Sequence, residues 1–212
     1  MKNILKQKDK ESPVILDIGA NIGLISLAIL KEFPKAKIFA FEPGRHQYEL
    51  FETTIEKNQL KENILLFDIA LSNKNGTADF FVHSTEDASG DGLLDTGRAG
   101  KAKLVKIRTL KLDDWWKENG RIDVDLIKCD TEGAEYFVFG FGRELVTQCR
   151  PAIVLELFEK NIEKYPFTVK DLFDLFEELE YDFYTLSGEK LTNDNKTEMM
   201  SKMAEFQALP RK

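Results

Sequence analysis

Short apolar runs alternate along this chain with amphipathic segments that repeat at helical spacing. The runs have the length of buried strands, and residues 45–58 place apolar side chains at i, i+3 and i+7. The predicted strands cover residues 14–18, 37–41, 64–70, 124–130, 151–157, 182–186 and about 204–209. The predicted helices cover residues 22–33, 45–58, 132–146 and 168–179. This alternation predicts an α/β fold whose mostly parallel sheet is covered on both faces.

The alternation changes after the third predicted strand. Residues 77–83 and 103–109 alternate like half-exposed strands, and the stretch between them is polar, glycine-rich and acidic. We interpret residues 76–109 as a β-insertion that carries a long loop, and such loops inside a compact domain are usually functional or disordered. We expect residues 1–212 to form a single domain with this insertion facing the substrate.

The first predicted strand leads directly into a glycine turn, D-I-G-A-N-I-G, which begins at Asp17. A dinucleotide-binding turn has the pattern G-x-G-x-x-G, whose middle glycine lets a pyrophosphate touch the backbone. In this chain Asn21 stands at the middle position and Leu24 at the last. The turn therefore favours a ligand without phosphate, such as S-adenosylmethionine (SAM), over a nicotinamide dinucleotide. A turn with only a packing role is the alternative.

Acidic residues follow the other predicted strands, at the edge where parallel sheets bind ligands. Glu42 ends the second strand, where a carboxylate can accept hydrogen bonds from ribose hydroxyls. Asp68 ends the third predicted strand and could reach an adenine amino group or form a turn. Asp130 and Glu132 follow the fourth strand, beside the expected reaction centre.

Five blocks of sequence resemble, in their order, the FkbM-type family of SAM-dependent methyltransferases. They are V-I-L-D-I-G-A-N-I-G, A-F-E-P, D-I-A-L-S-N-K-N-G-T, T-L-K-L-D-D-W and R-I-D-V-D-L-I-K-C-D-T-E-G-A-E. The resemblance implies the class I methyltransferase fold, a Rossmann-like three-layer sandwich around a seven-stranded sheet with an antiparallel last strand. It also implies O-methylation, commonly of a sugar, a glycan or a secondary metabolite.

The same resemblance implies how SAM is held. The methionine part of SAM would lie against the glycine turn, at Asp17, Gly19, Ala20, Asn21 and Gly23. Glu42 would hold the ribose, and Asp68 with Ala70 would border the adenine. SAM is the expected cofactor. No metal site is predicted, although Asp130 or Glu132 could bind a divalent cation.

Methylation of an alcohol needs a base, since the oxygen becomes a good nucleophile only as its proton leaves. The chain has two histidines. His83 leads from the insertion strand into the long loop, so it could face the acceptor, or it could be structural. Asp130 is our first candidate for the base and Glu132 the second.

Composition and charge indicate which kinds of partner the protein binds. The chain has 42% hydrophobic and 32% charged residues and a formal net charge of −7, and this negative charge argues against nucleic acid as the main partner. Cys129 and Cys149 lack disulfide or zinc spacing, and no apolar stretch has the length of a membrane span. We expect a cytoplasmic enzyme with a small-molecule or glycan acceptor. A nicotinamide-dependent oxidoreductase and a non-catalytic SAM-binding relative are the alternatives.

Overall fold

The computed structural model describes residues 1–7, 10–83, 90–95, 101–192 and 194–211. The strands in this part of the chain are β1 Val14–Ile18, β2 Lys37–Phe41, β3 Ile64–Phe67, β4 Ile69–Leu71, β5 Gly76–His83, β6 Ala102–Leu110, β7 Leu126–Cys129, β8 Ala152–Glu156, β9 Tyr181–Thr185 and β10 Glu205–Pro210. The helices are α1 Lys2–Gln7, α2 Leu24–Glu32, α3 Arg45–Lys57, α4 Leu112–Glu118, α5 Glu135–Gly140, α6 Arg143–Cys149, α7 Glu159–Ile162, α8 Val169–Glu178 and α9 Lys196–Lys202. Every predicted strand except 64–70 is present to within two residues at each end.

Seven strands form one sheet in the order β3-β2-β1-β7-β8-β10-β9. Neighbouring strands run parallel except β10, which is antiparallel to both β8 and β9. This arrangement confirms the predicted sheet with its antiparallel last strand. The strand order reverses at β1, which has β2 on one side and β7 on the other, and such a switch point is where α/β sheets bind ligands.

Helices cover both faces of this sheet. Successive residues of β1 belong to different hydrophobic clusters, Ile15 to one and Leu16 to the other. The cluster around Ile15 includes Ile29 of α2 and Phe51 of α3, whereas the cluster around Leu16 includes Phe176 of α8. Because side chains alternate across a strand, the two clusters lie on opposite faces, and the predicted three-layer sandwich is confirmed.

The insertion strands β5 and β6 form a separate three-stranded sheet with β4, in the order β4-β6-β5. The single strand predicted over residues 64–70 is wrong, because the chain leaves the main sheet at Asp68. Phe67 pairs with Phe41 in β2, whereas Ile69 pairs with Arg108 in β6. The apolar pattern continues on both sides of Asp68, so it does not reveal that the two halves pair with different strands.

Two predicted helices have different bounds in the structure. The first begins at residue 24, because its N-cap Gly23 has a left-handed backbone with φ 85°. The helix predicted over residues 132–146 consists of α5 and α6, with a break between them. Since α5 begins at Glu135, Glu132 precedes this helix and lies in a turn.

The last predicted helix is stabilised at its start by a capping box. Thr168 Oγ1 accepts a hydrogen bond from the N–H of Asp171, and the Asp171 carboxylate accepts one from the N–H of Thr168. The helices α1, α4, α7 and α9 were not predicted, since segments of four to seven residues are too short to show a periodicity. Among the described residues, no helix is long and apolar enough to span a membrane.

The residues that follow β1, β2 and β7 meet at the carboxyl edge of the main sheet. The N–H groups of Gly19 and Ala20 donate to the carbonyl oxygen of Phe41 at 3.1 and 2.9 Å. The N–H of Asp130 donates to the carbonyl oxygen of Ile18 at 3.1 Å. These bonds continue the strand pairing past the strand ends, so the glycine turn lies directly beside the residues that follow β7.

Candidate active site

A cavity of about 240 Å³ opens at this edge of the sheet, far larger than the ~30 Å³ that a water molecule takes up in the liquid. Its walls come from the ends of β1, β2 and β7, from β4, and from residues 90–95 of the insertion. Six of the predicted site residues line it: Gly19, Asn21, Glu42, Ala70, Asp130 and Glu132. The other five lie outside its described lining: Asp17, Ala20, Gly23, Asp68 and His83.

The glycine turn closes tightly against the end of β7. Gly19 has φ 72°, and a Cβ built on it would overlap the carbonyl oxygen of Asp130. Glycine is therefore required here both by the backbone conformation and by the close approach. Asn21 also has a left-handed backbone with φ 50°, and its N–H donates to Glu42 Oε2 at 2.8 Å. The turn thus presents its backbone to the cavity.

Asp17, Ala20 and Gly23 make contacts within the protein that hold the turn in place. Asp17 is fully buried and accepts a hydrogen bond from Ser26 Oγ at 2.6 Å. A Cβ on Gly23 would overlap the ring of Phe51, so this glycine permits the packing of α2 against α3. Direct contact of these three residues with the methionine part of SAM was predicted. All three lie outside the described lining of the cavity, and this contact stays a prediction.

Glu42 places a buried carboxylate on the cavity wall. Its Oε2 accepts a hydrogen bond from the N–H of Asn21, and its Oε1 accepts one from the N–H of Gly44 at 2.7 Å. Burial nevertheless raises the pKa of Glu42 to about 7, because desolvation of the charged form outweighs the two backbone donors. Hydroxyl donors from a ligand would stabilise the ionised form further.

Asp68 lies outside the described lining of the cavity, so the structure gives no support to the adenine contact predicted for it. Its side chain is 54% exposed, and its Oδ1 lies 3.3 Å from Arg108 Nη1 on the outer surface. The physical reason is the break between β3 and β4, which turns Asp68 outward and brings Ala70 to the cavity.

His83 is also placed differently from its prediction. Its side chain is fully buried, with Nδ1 3.5 Å from Asp91 Oδ1 and Nε2 3.4 Å from Asp95 Oδ1. A general base must reach the proton that it removes, and a ring enclosed between two carboxylates does not. The structure therefore disfavours His83 as the base. Most of the predicted loop, residues 84–89 and 96–100, lies outside the described residues.

The motif D-T-E-G-A-E forms a turn that its own last carboxylate holds closed. Glu135 Oε1 accepts hydrogen bonds from the N–H of Thr131 at 2.9 Å and from the N–H of Gly133 at 3.4 Å. Gly133 has φ 102°, and a Cβ on it would lie 2.9 Å from the backbone of Asn161. Burial raises the pKa of Glu135 to about 7. The turn fixes the positions of Asp130 and Glu132 beside the cavity.

Glu132 is held in an unusual conformation by donors from two other segments. Its backbone is left-handed, with φ 55°, which costs energy for a residue that is not glycine. Its Oε2 accepts a hydrogen bond from Asn161 Nδ2 at 2.6 Å, and its Oε1 accepts one from the N–H of Gly90 at 3.2 Å. Such strain is common where a side chain must be aimed at a ligand.

Lys128 was not singled out from the sequence, although it connects the parts of the site. Its Nζ donates to the carbonyl oxygen of Gly19 at 2.6 Å and lies 3.6 Å from carboxylate oxygens of both Asp17 and Asp130. Burial lowers the pKa of Lys128, but the two carboxylates outweigh this effect, and the net pKa is raised. A lysine inside an otherwise apolar strand was the signal that could have revealed it.

The candidate catalytic carboxylates lie close to a third one. Asp130, Glu132 and Glu156 can each offer one oxygen within 4.8 Å of the others. Carboxylate oxygens suit Mg²⁺ or Ca²⁺. However, acidic side chains at a surface are common without a metal, and Glu132 already accepts hydrogen bonds from protein donors. The absence of a metal site stays a prediction.

We expect the protein to lose stability as the pH rises from about 5 to about 8. Burial raises the pKa values of Glu42 and Glu135 from 4.5 to about 7. In this range the folded protein retains protons that the unfolded chain releases, so the free energy of unfolding falls as the pH rises. Thermal unfolding should give a Tm that decreases over this range, and Glu135→Gln should flatten the decrease.

Glu118 provides the control for this measurement, since it is exposed at the end of α4. Glu118→Gln should leave the pH dependence of the Tm unchanged. The explanation fails if the Tm of Glu135→Gln decreases as steeply with pH as that of the wild type.

The profile of the methyltransferase FkbM domain matches residues 17–183 of this chain. The 2-O-methyltransferase NoeI of Sinorhizobium fredii is 30% identical over 191 residues, which cover 84% of this chain and 77% of that protein. Methyltransferase sdnD of Sordaria araneosa is 31% identical over 176 residues, which cover 71% of this chain and 68% of that protein.

Solved structures agree with the fold. The methyltransferase FkbM of Methylobacillus flagellatus aligns with a TM-score of 0.60 and 13% identity, over 94% of this chain and 44% of that one. This chain therefore spans less than half the length of that protein, and at this identity the similarity shows the fold alone. The family match decides against a nicotinamide-dependent oxidoreductase. Together with the motifs and the sheet topology, it shows that the chain belongs to the FkbM family of SAM-dependent methyltransferases.

Proposed function

We propose that this chain is a single-domain enzyme that transfers a methyl group from SAM to a hydroxyl oxygen of a small molecule or glycan. The observation that carries the proposal is the cavity at the switch point, which joins the glycine turn, Glu42 and Asp130. The name of NoeI, a 2-O-methyltransferase, supports oxygen as the methylated atom. A cytoplasmic location stays an expectation.

The residues around the cavity fit SAM in their chemistry. Glu42 would accept a hydrogen bond from the ribose, and the backbone at Gly19 and Asn21 would lie against the methionine part. Ala70, whose small side chain lines the wall, would border the adenine. A buried side-chain oxygen of Gln47 on the same wall has no hydrogen-bond partner among the described residues, as expected where a ligand supplies the donor.

Asp130 is the proposed base. When bound, SAM supplies an electrophilic methyl group on a sulfonium sulfur. Asp130 lines the cavity and its side chain is 44% exposed, so an acceptor hydroxyl can reach it. Asp130 would accept the hydroxyl proton while bound SAM would supply the methyl group to the oxygen and would become S-adenosylhomocysteine (SAH). Glu132, held by Asn161 and Gly90, orients the acceptor.

Removal of the Glu42 carboxylate is expected to weaken SAH binding about 100-fold. Glu42→Ala deletes a charged acceptor for the ribose and also leaves the N–H groups of Asn21 and Gly44 without their partner. Titration calorimetry with SAH measures the loss. The exposed Glu49 of α3 gives a matched control, since Glu49→Ala should bind SAH like the wild type.

Two outcomes would count against the proposed function. Folded wild-type protein that does not bind SAH would exclude SAM as its methyl donor. Protein that binds SAH but transfers no label from radiolabelled SAM to a panel of sugars and glycosides would favour the non-catalytic relative over an O-methyltransferase of this acceptor class.

A further inference from the structure

Gln47 is a buried polar residue that neither the motifs nor the family match singles out. It lies in the first turn of α3, lines the cavity and is only 4% exposed. Its Nε2 donates to Asp91 Oδ2 at 3.4 Å. Its Oε1 has no hydrogen-bond partner among the described residues. A buried acceptor without a donor is costly, and at the wall of a ligand cavity it indicates a donor that arrives with the ligand.

Asp91 determines which end of this amide faces Glu42. An ionised carboxylate can only accept hydrogen bonds, so Asp91 selects the Nε2 end of Gln47 and leaves Oε1 as the free acceptor. Asp91 is itself held in place, because its Oδ1 accepts a hydrogen bond from the N–H of His83 at 2.7 Å. The network His83–Asp91–Gln47 thus connects the insertion to the cofactor side of the cavity.

The free oxygen lies beside the Glu42 carboxylate. A Cβ built on Gly44 would lie 2.6 Å from Gln47 Oε1 and 2.8 Å from Glu42 Oε1, so both acceptors border one small space that Gly44 keeps open. The negative charge of Asp91 also contributes to the raised pKa of Glu42, after the larger effect of burial. Two adjacent acceptors suit a ligand that carries two adjacent hydroxyl donors.

We propose that Gln47 accepts a hydrogen bond from a ribose hydroxyl of the cofactor, and that Asp91 is a positioning residue that holds the amide in the accepting orientation. This inference rests on the proposed function, in which Glu42 binds the same ribose. It gives residues 90–95 a role toward the cofactor, in addition to the substrate-facing role expected for the insertion. The N–H of Gly90 contacts Glu132, so the same short segment touches both ends of the cavity.

The test measures the affinity of wild type and Gln47→Leu for SAH, 2′-deoxy-SAH and 3′-deoxy-SAH by calorimetry. We expect Gln47→Leu to bind SAH about tenfold more weakly than the wild type. The variant and the wild type should bind one of the two deoxy analogues with nearly equal affinity, because that analogue lacks the hydroxyl that donates to Gln47. The Tm is measured beside the affinity to show that the variant is folded, because the substitution removes both an unpaired buried oxygen and the Nε2 donor to Asp91 Oδ2.

Asp91→Asn tests the positioning role separately. The new amide can donate to Gln47 and thereby turn the Gln47 amide so that its NH₂ group replaces the accepting oxygen. We expect Asp91→Asn to lose discrimination, meaning the preference in affinity for SAH over that deoxy analogue, as Gln47→Leu does, although Gln47 is still present. Asp79→Asn, on the exposed face of the same insertion, and Gln148→Leu, on the exposed side of α6, are the matched controls.

The possible results separate this inference from the proposed function. No binding of SAH to the folded wild type would overturn both. A second result would overturn the role of Gln47 but not the proposed function. In this result the wild type binds SAH, and Gln47→Leu prefers SAH over each deoxy analogue by the same factor as the wild type. Loss of discrimination in Gln47→Leu but not in Asp91→Asn would overturn the role of Asp91.

Discussion

Asparagine in place of Asp130 is expected to lower kcat for methyl transfer by about 10²- to 10⁴-fold, the usual contribution of a general base. The amide retains the size of the side chain but cannot take the hydroxyl proton. SAH binding should stay within about threefold of wild type, because the proposed cofactor contacts come from the glycine turn and Glu42. Transfer of label from radiolabelled SAM to the best acceptor of the sugar panel measures kcat, and calorimetry measures SAH affinity.

Asp123→Asn is the matched control, since Asp123 is exposed and contacts Lys10 far from the cavity. Its kcat should equal that of the wild type. Glu132→Gln is the informative comparison. If Asp130→Asn keeps its kcat within about twofold while Glu132→Gln loses it, the base is Glu132 and our assignment is wrong.

Alanine in place of Gly19 is expected to abolish measurable SAH binding and to destabilise the fold. A left-handed alanine costs about 1–2 kcal/mol. Overlap of its Cβ with the Asp130 carbonyl oxygen adds about 1–3 kcal/mol. The turn must move away from β7 to relieve this overlap, and the movement displaces Asn21 and its hydrogen bond to Glu42. Thermal unfolding and calorimetry measure the two effects.

Gly120→Ala is the control that distinguishes the cost of a left-handed alanine from the cost of the overlap with the Asp130 carbonyl oxygen. It has φ 76°, nearly the value of Gly19, but a Cβ on it would meet no atom within 4 Å. Gly120→Ala should therefore show only the cost of the left-handed alanine and should bind SAH normally. If Gly19→Ala is no less stable than Gly120→Ala and binds SAH like the wild type, the close approach to β7 has no functional consequence.

Local pattern explains which parts of the fold could be predicted. Burial on both faces produced continuous apolar runs, so the strands of the main sheet were visible from the sequence. Strand β2 and Glu42 illustrate this, because a carboxylate that follows a parallel strand must lie at the ligand-binding edge. The break at Asp68 was not visible, because an apolar run looks the same whether it pairs with one strand or with two.

Side-chain direction explains which site residues could not be predicted. His83 was chosen because it precedes a long loop, yet the pairing of β5 and the position of residues 90–95 enclose its ring between Asp91 and Asp95. Gln47 and Lys128 carried no motif, yet packing brings them to the cavity wall and to the back of the glycine turn.

The sequence by itself determined the family, the order of the main strands along the chain, the glycine turn and the carboxylates that follow β2 and β7. These features depend on residues that are neighbours in the chain. Only the tertiary structure decided which polar groups face the cavity. It turned Asp68 and His83 away and brought in Gln47 and Asp91, because contacts between separate strands, helices and loops set the direction of these side chains.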